Sequence, residues 1–230
     1  MLKDVIKTKI DEYLGFDSDK LFENNNIFDH KGKFKKLARI FGGALRDIIA
    51  DDKINDIDIL VGARTMDVCH DIITNQGYYY KDNLITKGVN SIYIELNIVC
   101  EPRTYIKDDK IIQLIKPAAD NKLLYSNPLP GGITEKEYKE VFVKLIKNVD
   151  LSCCGISYDG NVYENCPYAI QHCKNKIFTI NSLALMNNPR RINSRIRKLE
   201  ERGWKSSNLG ILREAKIDEI FSDDEFILEY

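Results

Sequence analysis

The order of apolar and polar positions in the first sixty residues predicts a helix, a strand, a second helix and a second strand. Residues 1–14 carry apolar side chains at helical spacing, which is typical of an amphipathic helix. The apolar run 37–41 predicts a buried strand, and residues 44–50 return to helical spacing. Residues 55–61 then alternate between polar and apolar side chains, which indicates a strand with one buried face.

The middle of the chain predicts a helix and further strands. A helix is expected over residues 66–76, with Thr65 as its N-cap. Strands are expected over residues 78–80 and 83–99, with a turn near Gly88.

Loops and two more helices complete the predicted elements. Residues 17–30 are predicted to form a polar loop, and residues 102–132 a loop-rich insertion because proline and glycine are frequent there. A helix over residues 134–148 begins with Thr134 and Glu137 in a capping-box pattern. Residues 181–204 are predicted to be mostly helical, with an interruption at Pro189.

Composition is that of a soluble globular protein. The 230 residues are 43% hydrophobic and 30% charged, enough for one compact domain with or without an appendage. No apolar run is long enough for a membrane span and the first residues do not resemble a signal peptide, so we expect a cytoplasmic protein without a membrane partner. The net charge of −1 provides no overall attraction to nucleic acid.

Two aspartates in the second strand suggest a metal site. Asp56 and Asp58 are two residues apart, so their carboxylates lie on the same face of a strand, opposite to Ile57 and Ile59. Adjacent carboxylates repel each other unless a positive charge neutralises them. Carboxylate oxygens suit Mg²⁺ or Mn²⁺, so these two residues are candidate ligands of such an ion.

A glycine pair precedes this strand and suggests a phosphate site. Gly42 and Gly43 follow the apolar strand and open the short helix, where free backbone N–H groups favour an anion. Arg46 lies in the first turn and could contact a phosphate oxygen, and Asp47 could orient a neighbouring group or cap the helix. The same residues also fit an ordinary strand–turn–helix unit with a tight bend.

Together the two segments resemble the catalytic head of tRNA CCA-adding enzymes and bacterial poly(A) polymerases, which belong to the DNA polymerase β nucleotidyltransferase superfamily. The resemblance lies in the run Gly-Gly-Ala-Leu-Arg-Asp at 42–47 and in Asp-Ile-Asp-Ile-Leu-Val at 56–61. A third segment, residues 149–160, resembles the Arg-Asp-Phe-Thr-Ile-Asn motif of that group and the strand after it. The match covers roughly residues 37–61 and 149–180, in the same order along the chain.

The chain also departs from this group. Val149 stands where the group usually has arginine, and no Glu-Asp-x-x-Arg motif is present. Too few residues follow the head for the long helical neck, body and tail of these enzymes. The resemblance is therefore to a compact, phage- or virus-like form.

The resemblance implies an α+β nucleotidyltransferase fold, with a mixed β-sheet flanked by helices and a C-terminal helical extension. The catalytic domain would cover residues 1–185, including the insertion 102–132, and the extension with its basic helix and acidic tail would cover 186–230. The implied activity is Mg²⁺- or Mn²⁺-dependent transfer of a nucleoside monophosphate from a nucleoside triphosphate, such as ATP, to an acceptor hydroxyl.

The resemblance also assigns roles to residues. Asp56, Asp58 and Asp150 would be the catalytic, metal-binding carboxylates, and Gly42, Gly43 and Arg46 would bind the nucleotide. Glu95 is a rival for the third carboxylate, because it alternates with apolar residues in the strand expected over residues 91–99.

A basic cluster near the C-terminus suggests the acceptor. Four of its residues are candidate contacts to RNA phosphates, with a tRNA-like 3′ end and tRNA processing as the first expectation: Arg190, Arg191, Arg195 and Arg197. A solvated helix partly paired with Glu200 and Glu201 explains the same charges. A protein or small-molecule acceptor, or a non-catalytic domain that only binds nucleotide or RNA, also stays open.

Six cysteines do not indicate a metal site or a disulfide framework. Their spacing contains no C-x₂-C pair, and nothing indicates secretion, so buried small hydrophobic residues are expected rather than zinc ligands.

Overall fold

The computed structural model describes residues 1–23, 27–28, 34–35, 38–62, 65–81, 99–118, 149–182, 185 and 189–207. Six helices are labelled in that part of the chain: α1 (Leu2–Leu14), α2 (Asp19–Glu23), α3 (Gly43–Ile49), α4 (Met66–Asn75), α5 (Ala169–Asn175) and α6 (Pro189–Glu200). The longer strands are β3 (Ala38–Phe41), β4 (Ile57–Val61), β5 (Tyr79–Lys81), β6 (Val99–Lys107), β7 (Lys110–Ala118), β8 (Ile156–Tyr158) and β9 (Val162–Glu164). Four two-residue strands are β1 (Ile27–Phe28), β2 (Phe34–Lys35), β10 (Ile177–Phe178) and β11 (Lys205–Ser206).

Seven strands form one mixed sheet, in the order β5-β6-β7-β4-β3-β8-β9. Neighbouring strands are antiparallel except for β4 and β7, which run parallel. With the flanking helices this is an α+β arrangement, which confirms the predicted class and the predicted mixed sheet.

One face of this sheet forms the hydrophobic core. The side chains of Ile40, Ile57 and Ile59 point to this face and are completely buried. Helices α2 and α4 contact the sheet, and an edge-to-face contact joins Phe22 to Tyr158 with ring centroids 5.6 Å apart. Because side chains alternate along a strand, Asp58 lies on the opposite face.

Helix α3 is packed among α1, α5 and the segment after residue 149. Helix α3 follows β3 directly and contacts α5 and a short 3-10 turn at Ser152–Cys154. Helix α6 buries Ile192, Ile196 and Leu199, and β11 after it pairs with β10 in parallel. The basic helix is thus packed onto the body of the protein.

Several predicted elements are confirmed. Helices α1, α3 and α4 and strands β3 and β4 lie within two residues of their predicted bounds. Pro189 interrupts the predicted helical segment, as expected, and α6 begins there because a proline lacks only an N–H that the first turn leaves unpaired.

Other elements differ from the prediction. Residues 102–118, expected to be part of a loop-rich insertion, belong to the paired strands β6 and β7. Short helix α2 lies in the expected polar loop. Thr65 precedes α4, but its hydroxyl donates to the carbonyl of Gly62 at 3.0 Å and does not cap the helix.

Some predictions fall outside the described residues: the strand over 83–98 with Glu95, the remainder of the insertion over 119–132, the helix over 134–148 and the acidic tail. In the part of the chain that is described, we find no helix with the length and apolar character that a membrane crossing requires.

Candidate nucleotide and metal site

The carboxylates of Asp56 and Asp58 lie at the start of β4. The hydroxyl of Tyr13 on α1 donates to the carbonyl of Asn55 at 2.9 Å, which anchors the chain just before Asp56. The Oδ1 atom of Asp58 is buried and has no hydrogen-bond partner among the described residues. Such an oxygen is costly to bury unless a cation or a proton compensates its charge.

Burial and neighbouring negative charges raise the pKa values of both carboxyl groups. Burial raises the pKa of Asp58 to about 7, and the charge of Asp56 adds to this effect. The pKa of Asp56 is also raised, first by burial and then by the charge of Asp47. A divalent cation would reverse these shifts, because it provides both the missing partner and the opposite charge. Asp56 and Asp58 therefore fit the metal-binding role that their spacing predicted.

The glycine turn lies beside Asp58. Phe41, the last residue of β3, is directly opposite Asp58 in the sheet, so the chain leaves β3 for the turn next to the carboxylate. Gly42 has φ of 78° and ψ of −135°, a conformation that other residues rarely adopt. Among the described residues, apart from the neighbours of Gly42 in the chain, no atom lies within 4 Å of the position that a Cβ of Gly42 would occupy, so the turn faces open space there.

Arg46 is directed into the protein. Its guanidinium is almost fully buried, and Nε donates to Oδ1 of Asp47 at 2.7 Å. Oδ2 of Asp47 also accepts a hydrogen bond from Arg202 Nη1 at 3.5 Å, so Asp47 orients two arginines rather than capping the helix. Arg46 thus lies on the protein side of the glycine turn. The contact between Arg46 and a phosphate stays a prediction.

Asp150 is buried, with 2% of its surface exposed, and is paired with arginines from α6. Arg195 Nη1 donates to its Oδ2 at 2.6 Å, and Arg191 Nη2 lies 3.6 Å from the same oxygen. Within the described ranges, no three side chains of the His, Cys, Asp and Glu types are grouped so that they could hold a metal ion. Asp150 therefore does not join Asp56 and Asp58 in a three-carboxylate group in this structure.

Arg195 connects Asp150 to the carboxylate pair. Burial has the largest influence on the pKa values of Asp56 and Asp58, and the positive charge of Arg195 opposes it in both. The side chain of Arg195 is 31% exposed. An arginine predicted as an acceptor contact is thus part of the candidate site.

The four candidate acceptor arginines fall into two pairs. Arg191 and Arg195 face Asp150, whereas Arg190 and Arg197 are exposed on the outer side of α6. The helix repeat accounts for this separation, because positions four apart share one face. The outer pair is placed to contact a large anion from solvent.

Sequence reasoning missed Gln113 on β7. Gln113 is directly opposite Asp58 in the parallel pair, so its half-buried side chain is on the same face beside the carboxylate. The prolines of this region led to the prediction of a loop instead of strand β7. The position of Gln113 next to Asp58 is known only from the pairing of β4 with β7.

A second missed feature is the anchoring of the segment after α6. The indole Nε1 of Trp204 donates to Oδ2 of Asp52 at 3.0 Å, and Lys176 and Arg202 pair with the same carboxylate at 2.6 and 3.1 Å. Trp204 is 2% exposed, and Arg46 lies over its ring at 5.8 Å. These contacts hold the end of α6 against α3.

Comparison with known proteins gives matches among solved structures only: no protein-family model and no curated protein matches the chain. A CCA-adding enzyme with CTP is 15% identical, with a TM-score of 0.47, and the match covers 74% of this chain and 36% of that one. A tRNA nucleotidyltransferase complexed with a primer tRNA and an incoming ATP analog is 16% identical, with a TM-score of 0.46 and coverages of 80% and 52%.

The Thermotoga maritima CCA-adding enzyme complexed with tRNA is 14% identical, with a TM-score of 0.45 and coverages of 76% and 36%. The chain spans about a third to a half of the length of these three proteins. They belong to the group that the sequence motifs resemble. Because all three TM-scores lie below 0.5, the function is inferred below from the geometry of the site.

Proposed function

We propose that the chain is a metal-dependent nucleotidyltransferase, which transfers a nucleoside monophosphate from a nucleoside triphosphate to an acceptor hydroxyl. The observation that supports this most strongly is the unpartnered, buried Oδ1 of Asp58, next to Asp56 and directly beside the open turn at Gly42. A cation site adjoining a turn that exposes backbone suits a triphosphate with its metal ion.

Asp56 and Asp58 would hold the metal, for which Mg²⁺ and Mn²⁺ are the candidates. A bound ion of this kind would neutralise charge that develops on the phosphoryl oxygens during transfer. Without it the two carboxylates repel each other, as the raised pKa values of Asp58 and Asp56, due first to burial and then to neighbouring charge, indicate.

The triphosphate would lie between the glycine turn and α6. Gly42 and Gly43 would allow its oxygens to approach the backbone, and Arg195, whose side chain is partly exposed, would donate to them. Arg46 would not contact the triphosphate from solvent. It would support the turn from inside the protein, where it forms an ion pair with Asp47. In the reaction, the acceptor oxygen forms a bond to the α-phosphorus while the bond to pyrophosphate breaks, and the hydroxyl proton is released.

A nucleic-acid 3′ end, with a tRNA-like end as the first candidate, is the proposed acceptor. Arg190 and Arg197 support it, because they are exposed on the same helix whose other face carries Arg195. Basic side chains spaced along one helix face contact successive phosphates of a backbone. The same exposed charges would attract RNA to the site at low ionic strength.

One observation favours a second candidate, a domain that binds nucleotide or RNA without catalysis. Asp150, the proposed third carboxylate, is already neutralised by Arg195 at 2.6 Å. If this ion pair persists when the nucleotide is bound, Asp150 could not assist the acceptor hydroxyl.

The test is incubation of the purified protein with Mg²⁺ or Mn²⁺, each labelled nucleoside triphosphate in turn, and total tRNA. The double variant Asp56→Ala/Asp58→Ala should be inactive, whereas Asp67→Asn/Asp71→Asn, which changes two exposed carboxylates of α4, should be as active as the wild type. Label on RNA supports the proposal and reveals the base preference. Label on protein would refute the RNA acceptor, and metal-dependent binding without transfer would favour the binding domain.

A further inference from the structure

Cys154 lies between the two arginines of the candidate site. Its side chain is 2% exposed, and its sulfur accepts from Arg46 Nη1 at 3.5 Å and from Arg195 Nη2 at 3.7 Å. Arg46 belongs to α3 and Arg195 to α6, so one sulfur atom joins the two helices that border the site. A neutral thiol is a weak acceptor, whereas a thiolate accepts strongly from guanidinium groups.

The charges around Cys154 favour the thiolate. The pKa of Cys154 is lowered to about 6, first by a hydrogen bond with Cys153 and then by the charges of Arg46 and Arg195. Burial and the charge of Asp150 act in the opposite direction. Titratable groups of several elements interact with it: Arg46 on α3, which also pairs with Asp47, Arg195 on α6, Asp58 on β4, Cys173 on α5, and Cys153, Asp150 and Cys166 from residues 150–166.

We propose that Cys154 is a positioning residue of the nucleotide site, where its thiolate is held by the buried guanidinium of Arg46 and in turn holds the guanidinium of Arg195 in the orientation that receives a triphosphate. Two like-charged guanidinium groups close to one another repel, and an anion between them removes the repulsion. The proposal rests on the proposed function only in its last step, the binding of the triphosphate. The arrangement of the sulfur between two arginines is independent of that step.

The thiolate itself is tested without nucleotide. The difference in absorbance at 240 nm between wild type and Cys154→Ser should titrate as one thiolate, with a midpoint near pH 6. Burial raises the pKa of Cys69 to about 12 and that of Cys166 to about 11, so these thiols do not contribute in that range. If Cys154→Ser does not fold, Cys154→Ala replaces it. Absence of a thiolate below pH 8 would overturn the proposal.

The positioning role is tested by binding of an Mg²⁺–nucleoside triphosphate, measured by calorimetry as a function of pH. The ratio of the Kd of Cys154→Ser to that of the wild type should be near 1 at pH 5 and about tenfold at pH 8, as expected for loss of a charge-assisted acceptor. The titration of the nucleotide cancels in this ratio. Loss of the charge of Cys154 also lowers the pKa of Asp58 in the variant, which favours metal binding and therefore acts against the expected rise. Cys69→Ser, a buried cysteine remote from these arginines, is the matched control and should give a ratio of 1 throughout.

The outcomes distinguish the two proposals. A ratio that is constant with pH would mean a merely structural role and would overturn the inference. A thiolate near pH 6 without nucleotide binding by either protein would refute the proposed function and support the contact between the sulfur and the arginines. A ratio that follows the thiolate titration supports both.

Discussion

Arg195 on α6 donates a hydrogen bond to the buried carboxylate of Asp150 at 2.6 Å, although the two residues are 45 positions apart. This ion pair attaches the basic helix to the segment that contains Cys154. It also places one positive charge close to Asp56 and Asp58, the pKa values of which are raised by burial and lowered by Arg195. The pair therefore has both a structural and an electrostatic role.

Breaking this pair should destabilise the protein. Asp150→Asn removes the charge that Arg195 faces, and we expect a loss of about 1–3 kcal/mol in the free energy of unfolding, reduced by the partial exposure of Arg195. Urea denaturation followed by circular dichroism measures it. Glu201→Gln changes an exposed carboxylate after α6 and should have little effect. Equal losses in the two variants would contradict a specific role of the pair.

The pH dependence of the free energy of unfolding should show the raised pKa of Asp58. Burial, followed by the charge of Asp56, raises its folded-state pKa to about 7, above the unfolded value. The folded protein therefore binds more protons than the unfolded chain between about pH 4 and 7, and this group reduces stability as the pH rises through that window. In metal-free buffer, Asp58→Asn should be more stable than wild type by up to about 4 kcal/mol at pH 8, and the difference should vanish near pH 4. A difference in stability between Asp58→Asn and wild type that does not change with pH would contradict the raised pKa of Asp58.

Metal ions should stabilise the wild type through the same carboxylates. At a concentration of Mn²⁺ or Mg²⁺ of about 100 times the Kd, the free energy of unfolding should rise by about 2.7 kcal/mol, and EDTA should reverse the change. Thermal unfolding at pH 8 measures this effect. Asp58→Asn should lose it, and the exposed variant Asp67→Asn should retain it. A response that survives in Asp58→Asn would place the metal elsewhere.

Gly42→Ala should separate backbone strain from ligand binding. Gly42 has φ of 78° with open space around it, so alanine meets no neighbour but adopts an unfavourable backbone conformation, at a cost of about 1–3 kcal/mol. Gly15→Ala is the matched control, since Gly15 has φ of 76° at the end of α1. Both variants should lose stability, measured by urea denaturation. Only Gly42→Ala should weaken nucleotide binding by calorimetry, and equal weakening in both would contradict the assignment of the turn.

Trp204→Phe should loosen the contact between α6 and α3. The change removes the hydrogen bond to Asp52 at 3.0 Å, which leaves that carboxylate without one of its buried donors. We expect the free energy of unfolding to fall by about 1–2 kcal/mol, as for loss of one hydrogen bond to a charged group. Urea denaturation followed by circular dichroism measures this change. Lys205→Gln, at the exposed neighbouring position, is the control. An unchanged midpoint in Trp204→Phe would mean that the indole contact contributes nothing.

Local patterns in the sequence were sufficient for most of the elements around the site. The alternation in β4 predicted that Asp56 and Asp58 share a face opposite to Ile57 and Ile59, and the glycine pair predicted the turn into α3. These features depend on neighbours in the chain, because strand alternation and a positive φ are properties of a few consecutive residues. A mostly helical segment over residues 181–204 was predicted as well, and α6 lies within it.

Only the tertiary structure decided which charges meet. Side chains from separate elements compete for each carboxylate, so Arg195 pairs with Asp150, Arg46 with Asp47, and Trp204 with Asp52. The place of Gln113 beside Asp58 follows from strand order, which no local pattern encodes. The sequence by itself determined which residue types were present and on which face of their own element they lie. Long-range packing determined their partners, because the energy of a charge depends on what surrounds it in space.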